Sequence, residues 1–266
     1  MNRSEIIQQI RQKKSYLCIG LDTDIEKIPS HLLADADPVF AFNKAIIDAT
    51  HEYCVSYKIN TAFYESRGTK GWESLEKTVE YIPGNIFKIA DAKRGDIGNT
   101  SSQYAKAFFE TLNFDAVTVA PYMGADSVKP FLAYKDKWTI LLVLTSNTGS
   151  SDFELLQTGG EYLYEKVIKT SMQWGTPGNL MFVIGATQSD WFTKIRTISP
   201  EHFYLVPGVG TQGGSLHEIS TQAINKDIGL LVNVSRAIIY ASRGEDFAEQ
   251  SAMAARAYQQ EMSTYL

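Results

Sequence analysis

Residues 86–100 read IFKIADAKRGDIGNT. The opening residues, Ile86–Ala90, are apolar and β-branched or aromatic for the most part, which predicts a short buried strand. Charged residues crowd its carboxyl end, from Asp91 to Asp96, and a helix is expected next, with Thr100 and Gln103 fitting a capping box. Seven further stretches share this character: Tyr16–Leu21, Val55–Ile59, Ala116–Val119, Thr139–Leu144, Leu180–Ile184, Phe203–Val206 and Leu230–Val234. Segments with helical spacing lie between or beyond them, such as Pro38–Tyr53, Glu161–Trp174 and Glu245–Tyr265. In the first of these, Val39, Phe42, Ala45, Ile46 and Ala49 share one face. Strands alternating with helices imply parallel βαβ units. Strands that are apolar almost throughout imply a sheet covered on both faces. Eight such units in 266 residues suit a single-domain α/β chain folded as a (β/α)₈ TIM barrel over residues 1–266. A doubly wound open sheet is the structural alternative. Ser146–Gly160 is polar and long for a loop, so it reads as an excursion above the barrel. Arg67–Trp72 reads as another loop.

The net charge is −5, which supplies no broad basic field for nucleic acid. A small anionic ligand would need a local cationic site. No apolar run approaches the length of a membrane span. The N-terminus, MNRSEIIQQIRQKKS, lacks the apolar block of a signal peptide and reads as a short surface helix striped by Ile6, Ile7 and Ile10. The expected location is therefore cytoplasmic. Cys18 and Cys54 lie in apolar segments and read as buried thiols. His31, His51, His202 and His217 show no metal-ligand spacing.

In a barrel, the site lies at the carboxyl ends of the strands. Asp91 and Lys93 are two apart, so a strand points both to one side. Asp96 follows after a turn at Gly95. The carboxylates would keep Lys93 charged, and a charged lysine beside a reacting carbon is a proton donor. The same residues would also suit a solvated charge cluster, with Asp96 favouring the next helix's N-terminus. The seventh strand ends FYLVPGVGTQGGS, residues 203–215. Clustered glycines let backbone amides approach an anion, and the turn leads to a helix expected at Ser215. A flexible surface loop would have the same composition. Strand eight supplies Ser235 and Arg236, and arginine can grip phosphate in a bidentate manner. Strands one, two and five end in Asp22, in Lys58 and Asn60, and in Thr145, Ser146 and Asn147. Each alone could cap or turn the chain; their joint placement on one rim favours a pocket.

DAKRGDI (91–97), PGVGTQGG (207–214) and Ser235–Arg236 together resemble the orotidine 5′-phosphate decarboxylases, in particular the longer bacterial branch. DxKxxD alone also occurs in related sugar-phosphate lyases; its combination with the glycine-rich element is more specific. The resemblance implies a cofactor-independent, metal-free carboxy-lyase that turns orotidine 5′-monophosphate (OMP) into UMP. Lys93 would be the proton donor and Asp91 would face the substrate carboxylate. Lys58 would complete an alternating Lys–Asp–Lys–Asp array and contact the ribose, with Asp22 on a ribose hydroxyl. Asp96, with Ile97 and Thr100 beside it, would enter the site of a partner in a homodimer. Ser146 would bond the pyrimidine, with Thr145 as its alternative. Pro207, Gly208, Gly210, Gln212, Gly213, Ser235 and Arg236 would hold the phosphate. A sister lyase that stabilises an enediolate with Mg²⁺ would carry a glutamate where Lys58 stands. A non-catalytic barrel that merely binds a phosphate would not need Asp91, Lys93 and Asp96.

Overall fold

The computed structural model describes residues 1–188, 191–210 and 213–266. Strands β1 (Leu17–Gly20), β2 (Ser56–Asn60), β3 (Phe87–Arg94), β4 (Ala116–Val119) and β5 (Trp138–Leu144) are followed by a small antiparallel hairpin, β6 (Gln157–Thr158) and β7 (Glu161–Tyr162). Strands β8 (Leu180–Ile184), β9 (Phe203–Pro207) and β10 (Leu230–Val234) complete the set. Leaving out the hairpin, the strands pair in parallel in chain order, and β10 returns to β1 with Leu17 opposite Val232. Closure removes the sheet edges that an open, doubly wound arrangement would keep.

The strands form because each is a run that can be buried on both faces. All of β1, β4, β8 and β10 is buried. The surrounding helices are amphipathic. In α2 (Pro38–Thr50), Asp37 accepts the Phe40 amide and Pro38 starts the first turn, while Val39, Phe42, Ile46 and Ile47 face inward. The last helix, α12 (Phe247–Ser263), buries Phe247, Ser251, Ala255 and Met262 and packs on α2, where Phe247 stacks on Phe42. Burying one such large apolar side chain contributes about 1.5–3 kcal/mol.

Two local expectations are corrected and a third is extended. Residues 69–72 are not loop: they open α4 (Thr69–Tyr81), with Gly71 against the Tyr64 carbonyl, where a Cβ would come within 1.8 Å. Thr100 does not cap its helix. That helix, α5 (Gly98–Lys106), starts after Ile97 with no side-chain cap, because Gly98 turns the chain at φ +50°. The N-terminal helix, α1 (Arg3–Lys13), does more than coat the surface. Ile6 and Ile10 are buried, and the Arg3 guanidinium donates to the Pro177 and Glu201 carbonyls, just before β8 and β9. The helix thus spans the amino-terminal mouth of the barrel. The residues after Ser146 form a turn of helix, α7 (Ser150–Phe153), and the β6–β7 hairpin. Both cysteines are free and buried.

Candidate active site

At the carboxyl-terminal mouth the strand ends enclose a cavity of about 290 Å³. That is near the lower end of the roughly 300–1,000 Å³ usual for small-molecule sites. Asp22, Lys58, Asp91 and Lys93 line one side, Thr145 and Ser146 the next, and Pro207, Gly208, Ser235 and Arg236 the other.

The charged side forms a chain of ion pairs. Lys93 Nζ donates to Asp91 Oδ1 at 2.7 Å. Lys58 Nζ donates to Asp91 Oδ2 at 3.0 Å and to Asp22 Oδ1 at 3.3 Å. Lys58 is buried, whereas half of the Lys93 side chain (51%) remains open to the cavity mouth. Burial alone would raise the Asp91 carboxyl, but Lys58 and Lys93 outweigh it and hold that group well below the usual carboxylate range. Burial alone would lower Lys58; Asp22 and Asp91 reverse this and lift it above the usual lysine range. Removing one member of such a buried pair typically costs about 3–5 kcal/mol.

Asp91 and Lys93 do not follow the strand's regular end. They lie inside β3, which runs further than its apolar stretch predicts. The β3–β4 register slips between Ala90 and Arg94, and Lys93 adopts φ +47°, rare for a residue with a side chain. The common side predicted from strand alternation is thus reached through a bulge, a device that re-aims side chains. Thr118 in β4 stabilises it. Its hydroxyl accepts the Lys93 amide at 2.9 Å and donates to Asp91 Oδ1 at 3.0 Å. Thr118 is not among the sequence-derived candidates; its signal is a polar residue inside the apolar run AVTV. Asn233 lines the cavity from β10 and carried a similar signal in LLVNV.

On the opposite side, Gly208, Gly210 and Gly213 have φ of +104°, +80° and +88°. These values lie where a Cβ is strained, so the loop depends on glycine. The Gly213 amide donates to the Gly210 carbonyl and that of Gly214 to Gly208, closing the loop on itself. Ser215 caps α10 (Leu216–Ala223), accepting the Glu218 amide. Ser235 donates to the Gly20 carbonyl at 3.0 Å, and Gly20 allows this close approach. The exposed Arg236 guanidinium makes no hydrogen bond or ion pair with the described residues. Gln212 lies outside the described residues. Asp96 is not part of its own chain's cavity lining; its carboxylate accepts the Ile97 amide at 2.7 Å. Ile97 is 60% exposed, and Thr100 is exposed beside it.

A family model described as "Orotidine 5'-phosphate decarboxylase / HUMPS family" matches residues 15–250. A curated protein of Flavobacterium johnsoniae, named orotidine 5′-phosphate decarboxylase, is 60% identical over 266 residues, covering 99% of this chain and 97% of that protein. A protein of the same name from Christiangramia forsetii is 57% identical over 269 residues, covering 100% of this chain and 99% of its own length. Among solved structures, OMP decarboxylase of Leishmania donovani superposes with a TM-score of 0.83 at 36% identity, covering 98% of this chain and 99% of that one. Orotidine 5′-monophosphate decarboxylase of Plasmodium berghei gives 0.85 at 25% identity, covering 99% and 98%.

Proposed function

The chain belongs to the orotidine 5′-phosphate decarboxylase / HUMPS family and decarboxylates OMP to UMP in pyrimidine biosynthesis; we propose that it does so through Lys93, Asp91 and Lys58, without a cofactor. The observation that carries this reading is the Lys58–Asp91–Lys93 chain facing the same cavity as the glycine loop and Arg236.

Loss of CO₂ from C6 of the pyrimidine breaks the C6–carboxylate bond and leaves its electron pair in an sp² orbital outside the ring π system. Delocalisation cannot spread that charge. A fixed ammonium close to C6 stabilises it electrostatically and then forms the new C6–H bond. The neutral Lys93 amine regains a proton from solvent. Asp91 holds Lys93 in place and sets a negative charge near the substrate carboxylate. Lys58 and Asp22 meet the ribose hydroxyls. Ser146 meets the pyrimidine, with Thr145 as the neighbouring choice. Pro207, Gly208, Gly210, Gln212, Gly213, Ser235 and Arg236 take the phosphate. Closure of that loop over the phosphate converts remote binding energy into a lower barrier.

The reading extends to a cytoplasmic homodimer in which Asp96, with Ile97 and Thr100, completes the partner's site. It is supported by the exposed apolar side chains on two adjacent rim loops, Ile97 on one and Tyr122 and Met123 on the other. No helix among the described residues is long and apolar enough to cross a membrane. The metal-dependent sugar-phosphate chemistry within the family fits less well, because the Lys58 ammonium stands between Asp22 and Asp91, where a cation would have to sit. Purified protein mixed with OMP and EDTA should lose orotate absorbance and accumulate UMP at an undiminished rate. Turnover that stops with the chelator and returns with Mg²⁺ would reject the cofactor-free part.

A further inference from the structure

The excursion after Ser146 has no part in the chemistry above, yet one of its residues reaches back to the rim. Glu154 directly follows α7. Its carboxylate accepts the Thr145 amide at 2.7 Å, and its two oxygens lie 3.0 and 3.1 Å from Thr145 Oγ1. The same hydroxyl, with one proton to give, lies 2.6 Å from Asn147 Oδ1, so the residues on both sides of Ser146 meet at Thr145 Oγ1 beside the Glu154 carboxylate.

The strand itself cannot supply this restraint. The β5–β8 register slips between Leu142 and Leu144, and the Gly185 amide bonds the Leu144 carbonyl at 2.7 Å as the ladder ends. Beyond that point the Thr145 amide has no strand partner, and the Glu154 carboxylate takes its place. Burial pushes the Glu154 carboxyl upward while the Thr145 amide and hydroxyl pull it back, leaving it raised. The excursion is firmly held. The Tyr164 amide donates to the Glu154 carbonyl, and Tyr162 stacks on Tyr164 and meets the Trp191 edge. On its other flank the β5 exit is fixed by Gln188, whose Nε2 donates to the Thr145 carbonyl at 3.0 Å.

We propose that Glu154 is a positioning residue for the pyrimidine end of the pocket: it sets the backbone at Thr145 so that Ser146 and Asn147 meet the base in one fixed geometry. The proposal rests on the reading that this end of the cavity receives the base. A misplacement of about 1 Å in a positioned group can cost on the order of 10²-fold in rate, so a restraint outside the binding shell has functional weight.

The test uses two probes, UMP and ribose 5-phosphate, which lacks the base, titrated calorimetrically into wild-type, Glu154→Ala, Glu154→Gln and Ser146→Ala proteins. Glu154→Ala should lose about tenfold in UMP affinity while ribose 5-phosphate binds within about twofold of wild type. Glu154→Gln should recover most of the loss, because its amide oxygen can still accept the Thr145 amide. Should the alanine protein fail to fold, Glu154→Asp keeps the charge, shortens the reach and is expected to lose UMP affinity selectively. Wild-type UMP affinity in the Ala or Asp variant, or equal losses on both probes, overturns the proposal. If Ser146→Ala weakens UMP while Glu154→Ala does not, the clamp alone is wrong. If Ser146→Ala binds both probes as wild type does, the base end is misassigned and the proposal falls with it.

Discussion

The two mouths of the barrel hold similar side chains in opposite circumstances. At the amino-terminal mouth, Arg196 lies 3.8 Å over the Tyr204 ring and donates to the carbonyls of Ala223, His202 and Gly229. At the carboxyl-terminal mouth, Arg236, two residues beyond β10, faces a cavity without a partner among the described residues. His202 and Lys93 add a second condition, access. His202 is buried against Phe182 with both ring nitrogens unpartnered among the described residues, while Lys93 is paired on one side and open on the other. A cation whose donors all end on its own backbone carbonyls holds loops together. A cation with donors that open on the cavity is available to a ligand. The site is therefore marked by bonding capacity that is both unused and accessible, more than by charge itself.

Four substitutions would break or sharpen this contrast. Lys93→Ala should reduce kcat by about 10⁴-fold or more, since it removes both the proton and the charge at C6, while UMP binding stays measurable. A folded variant with near-normal turnover in a UMP-formation assay would end the assignment. Arg196→Leu, at the other mouth, should cost about 4 kcal/mol in a urea titration by orphaning buried carbonyls, yet leave kcat and KM within about twofold. A catalytic loss with stability intact would invert the comparison. Arg236→Ala should lower kcat/KM for OMP by about 10²-fold with little change for the phosphate-free nucleoside. Equal losses on both substrates would remove Arg236 from the phosphate site.

The smallest effect concerns His202. Burial, helped by Arg3 and Arg196, lowers its pKa to about 4 from the ordinary 6.5. The unfolded chain then binds the proton more readily, so this stability is complete above pH 6.5 and fades as the pH falls toward 4. The loss should reach about 2 kcal/mol near pH 5, and His202→Phe should abolish that part of the pH dependence. An identical pH profile for the two proteins would place the acid sensitivity elsewhere.

Much of this architecture was legible in the chain itself. A strand buried on both faces needs an unbroken apolar run, and there are eight of them, so strand number and parallel order follow from local composition, whereas closure into a barrel instead of a doubly wound open sheet is decided by the pairing of β10 with β1. Asp22, Lys58, Asp91, Lys93 and Arg236 were legible because polar residues at the ends of such runs have nowhere to go but the rim. The three-dimensional arrangement alone decided the rest. The β3 bulge that aims Lys93, the Thr118 hydroxyl beneath it, the position of Glu154 against Thr145 and the seat of α1 across the lower mouth all join residues on different elements. A periodicity reports which face a residue takes on its own element. Which neighbour fills the last hydrogen bond depends on how the elements dock, and that is settled only when the whole core packs.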